Sequence, residues 1–252
     1  AHAAEKRPAL PEWKQYQQTF PPLLERYDRL CLLGGAISRN LECLDFDGGG
    51  ELYPAWRELI PAELFDRLVV QRTPSGGLHV CYRCREPVAG NRKLAARMID
   101  DATRRVLIET RGEGGLFLCA PSPGYTLTRG SLLDLPVLSG EERELLLAAA
   151  RSLNEVWQEP RPQAGGGGLA GDRPGDDFNA RGEVLPILQR AGWEVIKASG
   201  EQLYLRRPGK TGRAWSATLK GRTFFVFSQN AHPFEHERGY GPFSVLALLE
   251  HG

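Results

Sequence analysis

The chain has 252 residues, 41% of them hydrophobic and 25% charged, with a net charge of +1. That length holds one large domain or a medium domain with a small one, and the composition excludes a disordered or fibrous chain. No apolar run approaches the roughly 20 residues of a membrane-spanning helix and no signal peptide is visible, so the reading is of a cytoplasmic protein with no membrane partner.

The five cysteines, at 31, 43, 81, 84 and 119, mostly lie in apolar runs. Their odd number fits buried thiols in a reducing compartment better than a disulfide framework. Residues 197 to 252 carry eight Lys/Arg against four Glu, a net of +4, which leaves the first 196 residues at −3. The C-terminal piece is therefore the better electrostatic match for nucleic acid. The chain starts Ala1-His2 and stops in Leu248-Leu249-Glu250-His251-Gly252, an apparent helix cut short, so a segment of a longer protein is expected.

Residues 12 to 33 have apolar residues at helical spacing, interrupted at Pro21-Pro22, and predict a helix. Leu41-Glu42-Cys43-Leu44-Asp45-Phe46-Asp47 predicts a strand, followed by Gly48-Gly49-Gly50. Residues two apart on a strand share a face, so Asp45 and Asp47 point the same way, with Cα atoms roughly 6.6 Å apart, while Leu44 and Phe46 face the core. Two fixed acids at a strand end match the hard oxygen ligands that Mg²⁺ and Mn²⁺ require. A solvated Asp-x-Asp turn reads the same residues without a metal.

A helix pair around Pro61 comes next (Trp56, Leu59, Ile60, Leu64, Phe65, Leu68), then a hairpin of strands 68–73 and 78–83 joined by Pro74-Ser75-Gly76-Gly77. His79 follows a turn whose backbone amides offer an anion-binding nest. A structural strand histidine is the alternative. Cys81-x-x-Cys84 has the spacing of a zinc half-site with His79 as a third ligand. On a straight strand, however, the two thiols face opposite sides, and no second pair occurs, so no structural zinc is expected.

Residues 91 to 107 predict a helix turning into a strand that ends Ile108-Glu109-Thr110-Arg111-Gly112-Glu113-Gly114-Gly115, again a carboxylate ahead of glycines. A strand over 116–120 and a helix over 139–157, with Ser139 and Glu142 as a capping box, complete the first unit. The predicted division is a catalytic domain over 1–157, a Gly/Pro-rich linker over 158–177 and a small basic domain over 178–252. That last domain reads as a helix over 183–191, strands at 194–198, 202–206 and 223–228, and a closing helix over 242–249.

Asp45-x-Asp47, Ser75-Gly76-Gly77-Leu78-His79 and Ile108-Glu109 followed by Arg111-Gly112-Glu113-Gly114-Gly115 together resemble the three motifs of the archaeo-eukaryotic primase superfamily. The resemblance is to the bifunctional primase-polymerase domains of phage and plasmid replication proteins, and it spans about residues 30 to 135. It extends to Ser38-Arg39-Asn40 before the first motif and Ala120-Pro121-Ser122 after the third. It implies an α+β fold: a primase-type catalytic domain with a modified RNA-recognition-like half, plus the small C-terminal α+β domain.

It further implies two divalent cations, Mg²⁺ or Mn²⁺, on Asp45, Asp47 and Glu109 as metal ligands and catalytic residues. The incoming NTP or dNTP would contact His79 and the backbone of Ser75, Gly76 and Gly77, with Ser38, Arg39, Asn40, Arg111 and Ser122 as further pocket residues. The family commonly has Asp where this chain has Glu109, one methylene longer. A single-stranded DNA template, a primer strand and a helicase region or protein beyond the C-terminus are the implied partners.

The C-terminal unit resembles, more loosely, a region that follows the polymerase domain in phage primases, through Leu205-Arg206-Arg207-Pro208-Gly209-Lys210, Ser216-Ala217-Thr218 and Phe225-Val226-Phe227-Ser228. The order is also similar to the zinc ribbon of bacterial primases, but no cysteine follows Cys119, so any such ribbon is metal-free. Arg206, Arg207, Lys210 and Trp215 are the template-binding candidates. Trp215, Phe224, Phe225 and Phe227 are either base-stacking platforms or the core of the unit. Two other function classes use the same residues: a metal-dependent phosphohydrolase or nuclease, and a non-catalytic nucleic-acid-binding replisome module.

Overall fold

A computed structural model describes residues 12–16, 29–100, 102–156, 174–228 and 230–251. The chain divides into two units, 1–155 and 156–252, both mixing helices and antiparallel strands. Among the described residues, no helix is long and apolar enough to cross a membrane.

The first unit is built around β2 (Leu41–Phe46), every residue of which is buried. Antiparallel partners flank it on both sides, β4 (Leu78–Cys84) and β6 (Arg104–Arg111). The sheet continues outward from β4 through β3 (Val69–Arg72) to β8 (Thr126–Arg129), and from β6 to β5 (Lys93–Met98). A short parallel strand, β9 (Val137–Leu138), pairs with the end of β4.

One face of β2 carries Glu42, Leu44 and Phe46. Phe46 packs edge-on against Tyr53 and Trp56 of α1 (Tyr53–Leu59), at 5.4 and 5.1 Å. The Trp56 indole N–H then donates to the Leu146 carbonyl of α3 (Gly140–Arg151) at 3.1 Å. α3 begins at the expected capping box: the Glu142 N–H donates to Ser139 Oγ and the Ser139 N–H to Glu142 Oε2. Its Arg143 reaches the fully buried Glu42 with two bonds, 2.6 and 2.8 Å, and the Tyr82 hydroxyl donates to the same carboxylate.

The other face carries Leu41 and Cys43, which pack with Val69, Cys81, Phe117 and Leu135. Phe117 comes from β7 (Leu116–Cys119), which pairs with β1 (Leu30–Leu33) as a separate two-stranded ribbon. The sheet thus lies between helices on one side and this ribbon on the other.

Two helix expectations are corrected here. Leu30–Leu33 is a strand, because four consecutive apolar residues carry no period and pairing with Leu116–Cys119 decides their conformation. Trp13–Gln15 is a single 3₁₀ turn, and residues 17–28 of the expected helix lie outside the described residues. Residues 93–98 also form a strand rather than a helix. Register shifts between Lys93 and Ala96 let Leu94, Ala95 and Ala96 be buried in succession, which erases the alternation of a strand. Asp100 Oδ1 then accepts from the Ala102 and Thr103 amides, at 2.9 and 2.7 Å, and turns the chain into β6. The helix pair around Pro61, with α2 at Ala62–Phe65, and the β3–β4 hairpin follow the sequence reading.

In the second unit, β10 (Glu194–Ser199), β11 (Gln202–Arg206), β12 (Ala217–Lys220), β13 (Thr223–Val226) and β14 (Arg238–Tyr240) form a meander in chain order. Leu205, Ala217, Leu219, Phe224 and Val226 pack with Ile187 and Leu188 of α5 (Val184–Arg190), Val245 of α6 (Pro242–His251), Trp193 and Phe234. β12 and β14 were not assigned as strands from the sequence, and helical structure begins at α4 (Pro174–Arg181), inside the stretch read as linker. Asn179 of α4 is used at once: its Oδ1 accepts from the Phe243 N–H and so caps α6 at 2.9 Å. Residues 158–173 of the predicted linker, and residue 157 before it, lie outside the described residues.

Candidate metal centre

Strand register assembles the centre. Asp45 on β2 lies opposite His79 on β4 and opposite Glu109 on β6. His79 in turn lies opposite Gln71 on β3, and Glu109 opposite Lys93 on β5. One row of polar residues therefore crosses five strands. Asp47 leaves the end of β2 on the same face as Asp45, its N–H donating to the Leu107 carbonyl at 2.9 Å.

Asp45, Asp47 and Glu109 each offer a carboxylate oxygen, all within 4.8 Å of one another. Asp45 is buried, Glu109 half-buried and Asp47 exposed, so the group opens to solvent on the Asp47 side. Three carboxylates from two adjacent strands form a hard oxygen donor set that fits a divalent cation.

Arg111, two residues beyond Glu109 on the same face, is the resident counter-charge. Its Nε and Nη2 donate to Asp45 Oδ2, both at 3.3 Å, and Nη2 also donates to Glu109 Oε1. Burial pushes Asp45 up, but His79 and Arg111 outweigh it and hold the carboxyl below its ordinary value. Glu109 moves the other way: burial raises it, Arg111 only partly opposes this, and Asp45 and Asp47 raise it further. Asp45 is thus held toward its ionised form, whereas burial and the neighbouring acids disfavour the ionised form of Glu109.

The two glycine turns meet beside Asp47. A Cβ on Gly77 would lie 2.4 Å from the Phe46 carbonyl oxygen, and one on Gly50, whose φ is +75°, would lie 2.5 Å from Leu78 Cδ1. Gly77 packs directly on the backbone of Phe46, which only glycine permits, and the positive φ of Gly50 favours glycine there. The nest read from the sequence is smaller than expected. The Gly76 N–H closes its own turn onto the Thr73 carbonyl at 3.0 Å, which leaves the amides of Ser75 and Gly77 as its donors. The Ser75 hydroxyl lies 3.1 Å from that of Thr73.

His79 is buried against Phe117, and its Nε2 lies 3.4 Å from Asp45 Oδ1. The other predicted pocket residues make contacts of their own. Ser38, Arg39 and Asn40 precede Leu41, which pairs with Arg83, so they sit at the end of β2 away from Asp45. Asn40 joins β2 to the end of β4: its Nδ2 donates to the Cys84 and Arg85 carbonyls, and its carbonyl accepts from the Cys84 N–H. Ser122 Oγ accepts from the Leu30 N–H at 2.7 Å and donates to the Leu30 carbonyl at 3.1 Å, which fixes it to β1.

The template-binding candidates of the second unit hold their own loop. Arg206 pairs with Glu194 and donates to the Gly212 carbonyl, Arg207 donates to the Pro208 carbonyl and Lys210 to the Trp215 carbonyl. Trp215 is only 2% exposed, edge-on to Tyr204 at 4.9 Å, and Phe224, Phe225 and Phe227 are buried too. As buried side chains they are interior rather than exposed stacking platforms. Cys81 faces Cys43, whereas Cys84 lies near Glu42 and Arg143 on the opposite face, its thiol pushed up by burial to about 12.

Sequence reasoning missed Gln71 and the Glu42–Arg143–Tyr82 group. The available signal was a polar residue inside an apolar strand, at Val69-Val70-Gln71 and Leu41-Glu42-Cys43. No family model matches the chain, and no curated protein matches it.

Proposed function

We propose that this protein is a template-directed nucleotidyltransferase, a primase and DNA polymerase that binds two divalent cations at Asp45, Asp47 and Glu109. The observation that carries the reading is the side-by-side placement of three acids, an imidazole and two glycine turns at one end of β2. A metal-binding acid cluster alone would serve a phosphohydrolase or nuclease equally well. The histidine and the glycine turns fit a polyphosphate beside the cations, and they favour transfer from a nucleoside triphosphate.

When bound, the cations would lower the pKa of the attacking 3′-hydroxyl and stabilise the departing pyrophosphate. The residues of the chain do the rest. Asp45, kept ionised by its surroundings, anchors the site. Glu109 would complete the ligand set as a carboxylate. Arg111, which bonds Asp45 and Glu109, supplies positive charge beside the acids to offset charge on the phosphates. Ser75 and Gly77 donate their amides to phosphate oxygens, and Gly49, where a side chain would meet nothing within 4 Å, leaves open space beside Asp47. His79 donates a hydrogen bond to the same group.

The test is primer synthesis on unprimed single-stranded DNA with Mg²⁺ or Mn²⁺ and separate ribo- and deoxynucleotide pools. Labelled dinucleotides and longer products are the expected result. Metal-dependent release of phosphate or cleavage of the template, without products, would turn the assignment to a hydrolase. No metal-dependent nucleotide binding by calorimetry would turn it to a non-catalytic module.

A further inference from the structure

Gln71 is a fully buried side chain with one chemically consistent orientation of its amide. The Ala120 backbone N–H donates to its Oε1 at 3.0 Å, and its Nε2 donates to the Leu118 carbonyl at 2.9 Å. A backbone N–H only donates and a carbonyl only accepts, so β7 and the residue after it fix which end of the amide is nitrogen. The second hydrogen on that nitrogen is then available to His79 Nδ1, 2.8 Å away. A ring nitrogen that accepts an N–H carries no hydrogen of its own. The proton of the imidazole therefore sits on Nε2, the atom that faces Asp45. Phe117 and Tyr125, with ring centres 5.5 and 6.0 Å from that of His79, limit its rotation.

We propose that Gln71 is a positioning residue that holds His79 as the Nε2–H tautomer, so that one N–H donor faces the metal site and no ring lone pair does. An Nε2 that carries hydrogen does not ligate a cation or accept a proton from a substrate. His79 is thereby limited to donating to an anionic oxygen, Asp45 Oδ1 in the metal-free protein and, in the nucleotidyl-transfer reading, a phosphate of the incoming nucleotide. That last use of the N–H rests on the proposed function. The tautomer does not.

The experiment is long-range ¹H–¹⁵N correlation on the full chain labelled at histidine nitrogen, without metal or nucleotide, at about pH 8, above the ordinary histidine range. The His79 signals are identified by their loss in His79→Gln. The expected result is a protonated Nε2 and an unprotonated Nδ1 in the wild type. Gln71→Met keeps much of the volume but donates nothing, and a mixture of both tautomers is expected. Gln71→Glu presents an acceptor and is expected to move the proton to Nδ1. In Gln71→Met, nucleotide KM should rise about tenfold, the scale of one hydrogen bond to a charged group, with kcat changed less. A wild-type Nδ1–H ring, or an unaltered Nε2–H ring in Gln71→Met, overturns the proposal. If the tautomer follows Gln71 as described while the wild type binds no nucleotide with Mn²⁺, the positioning role stands and the nucleotidyl-transfer reading falls.

Discussion

The two units use their buried polar side chains differently. In the first, Glu42, Asp45, Gln71 and His79 are buried and each meets a partner on a neighbouring element. In the second, Trp215 Nε1, Ser216 Oγ and Thr218 Oγ1 are buried along one segment with no hydrogen-bond partner among the described residues. Both units are antiparallel sheets with helices, so strand geometry is not the difference. The first sets Gln71, His79 and Asp45 in one cross-strand row beside the other two acids and pairs Glu42 with Arg143 on the opposite face, whereas the second uses its aromatics as filling. A buried polar residue points to a site when its neighbours converge on the same point, and the second unit lacks that convergence among its described residues.

The comparison is broken most directly at the acids. Asp45→Ala or Asp47→Ala should reduce nucleotide incorporation to background; the exposed Asp47 should be removable with the melting temperature of the metal-free protein nearly unchanged, whereas Asp45→Ala should lower it, because His79 and Arg111 lose the carboxylate they pair with. Primer extension and thermal melting check this together. Substantial extension by either variant would take that residue out of the metal site.

Next in size is the buried pair beneath the row. Arg143→Ala leaves the Glu42 carboxylate buried with only the Tyr82 hydroxyl, and breaking such a pair costs about 3–5 kcal/mol. Denaturant unfolding should recover part of that loss in the Glu42→Leu, Arg143→Met double variant. Equal stability of the single and double variants would show that Glu42 has another way to be satisfied.

Trp215→Ala sharpens the contrast with the second unit. As a core residue, Trp215 should cost about 3–5 kcal/mol when truncated, a cavity effect. Binding of single-stranded DNA should change only as far as the unit unfolds. Weaker DNA binding with undiminished stability would instead make Trp215 a stacking surface.

The smallest effect concerns Glu109, whose ionised form the fold disfavours. Because its folded pKa is raised, ionisation withdraws stability as pH climbs from the ordinary glutamate value to the raised one. Glu109→Gln removes that cost. Its melting temperature should match the wild type in acid, where both side chains are neutral, and exceed it modestly above the window. Mn²⁺ should reverse the order at neutral pH by stabilising the wild type more, because a ligand that binds only the folded state adds stability. A variant that melts below the wild type at neutral pH without metal would show that pairing with Arg111 outweighs burial.

Local pattern made much of this protein legible. The alternation in Leu41–Phe46 placed Asp45 and Asp47 on one face, Pro-Ser-Gly-Gly marked the β3–β4 hairpin, and Ser139 with Glu142 marked the start of α3. These signals lie within a few residues, where backbone geometry alone fixes direction. The strands Leu30–Leu33 and Lys93–Met98 were not legible, because one has no period and the other has its period broken by register shifts.

The sequence by itself determined which residues can carry the chemistry: three carboxylates, a histidine after a glycine turn, and an arginine two residues past the third acid. Only the tertiary structure decided which of them meet. Register set Asp45 between His79 and Glu109 and placed Gln71 behind His79, while it left Ser38, Arg39 and Asn40 at the far end of the strand. Burial likewise assigned Trp215 to the interior. Pairing between strands distant in sequence depends on the packing of whole faces, and no local period encodes it.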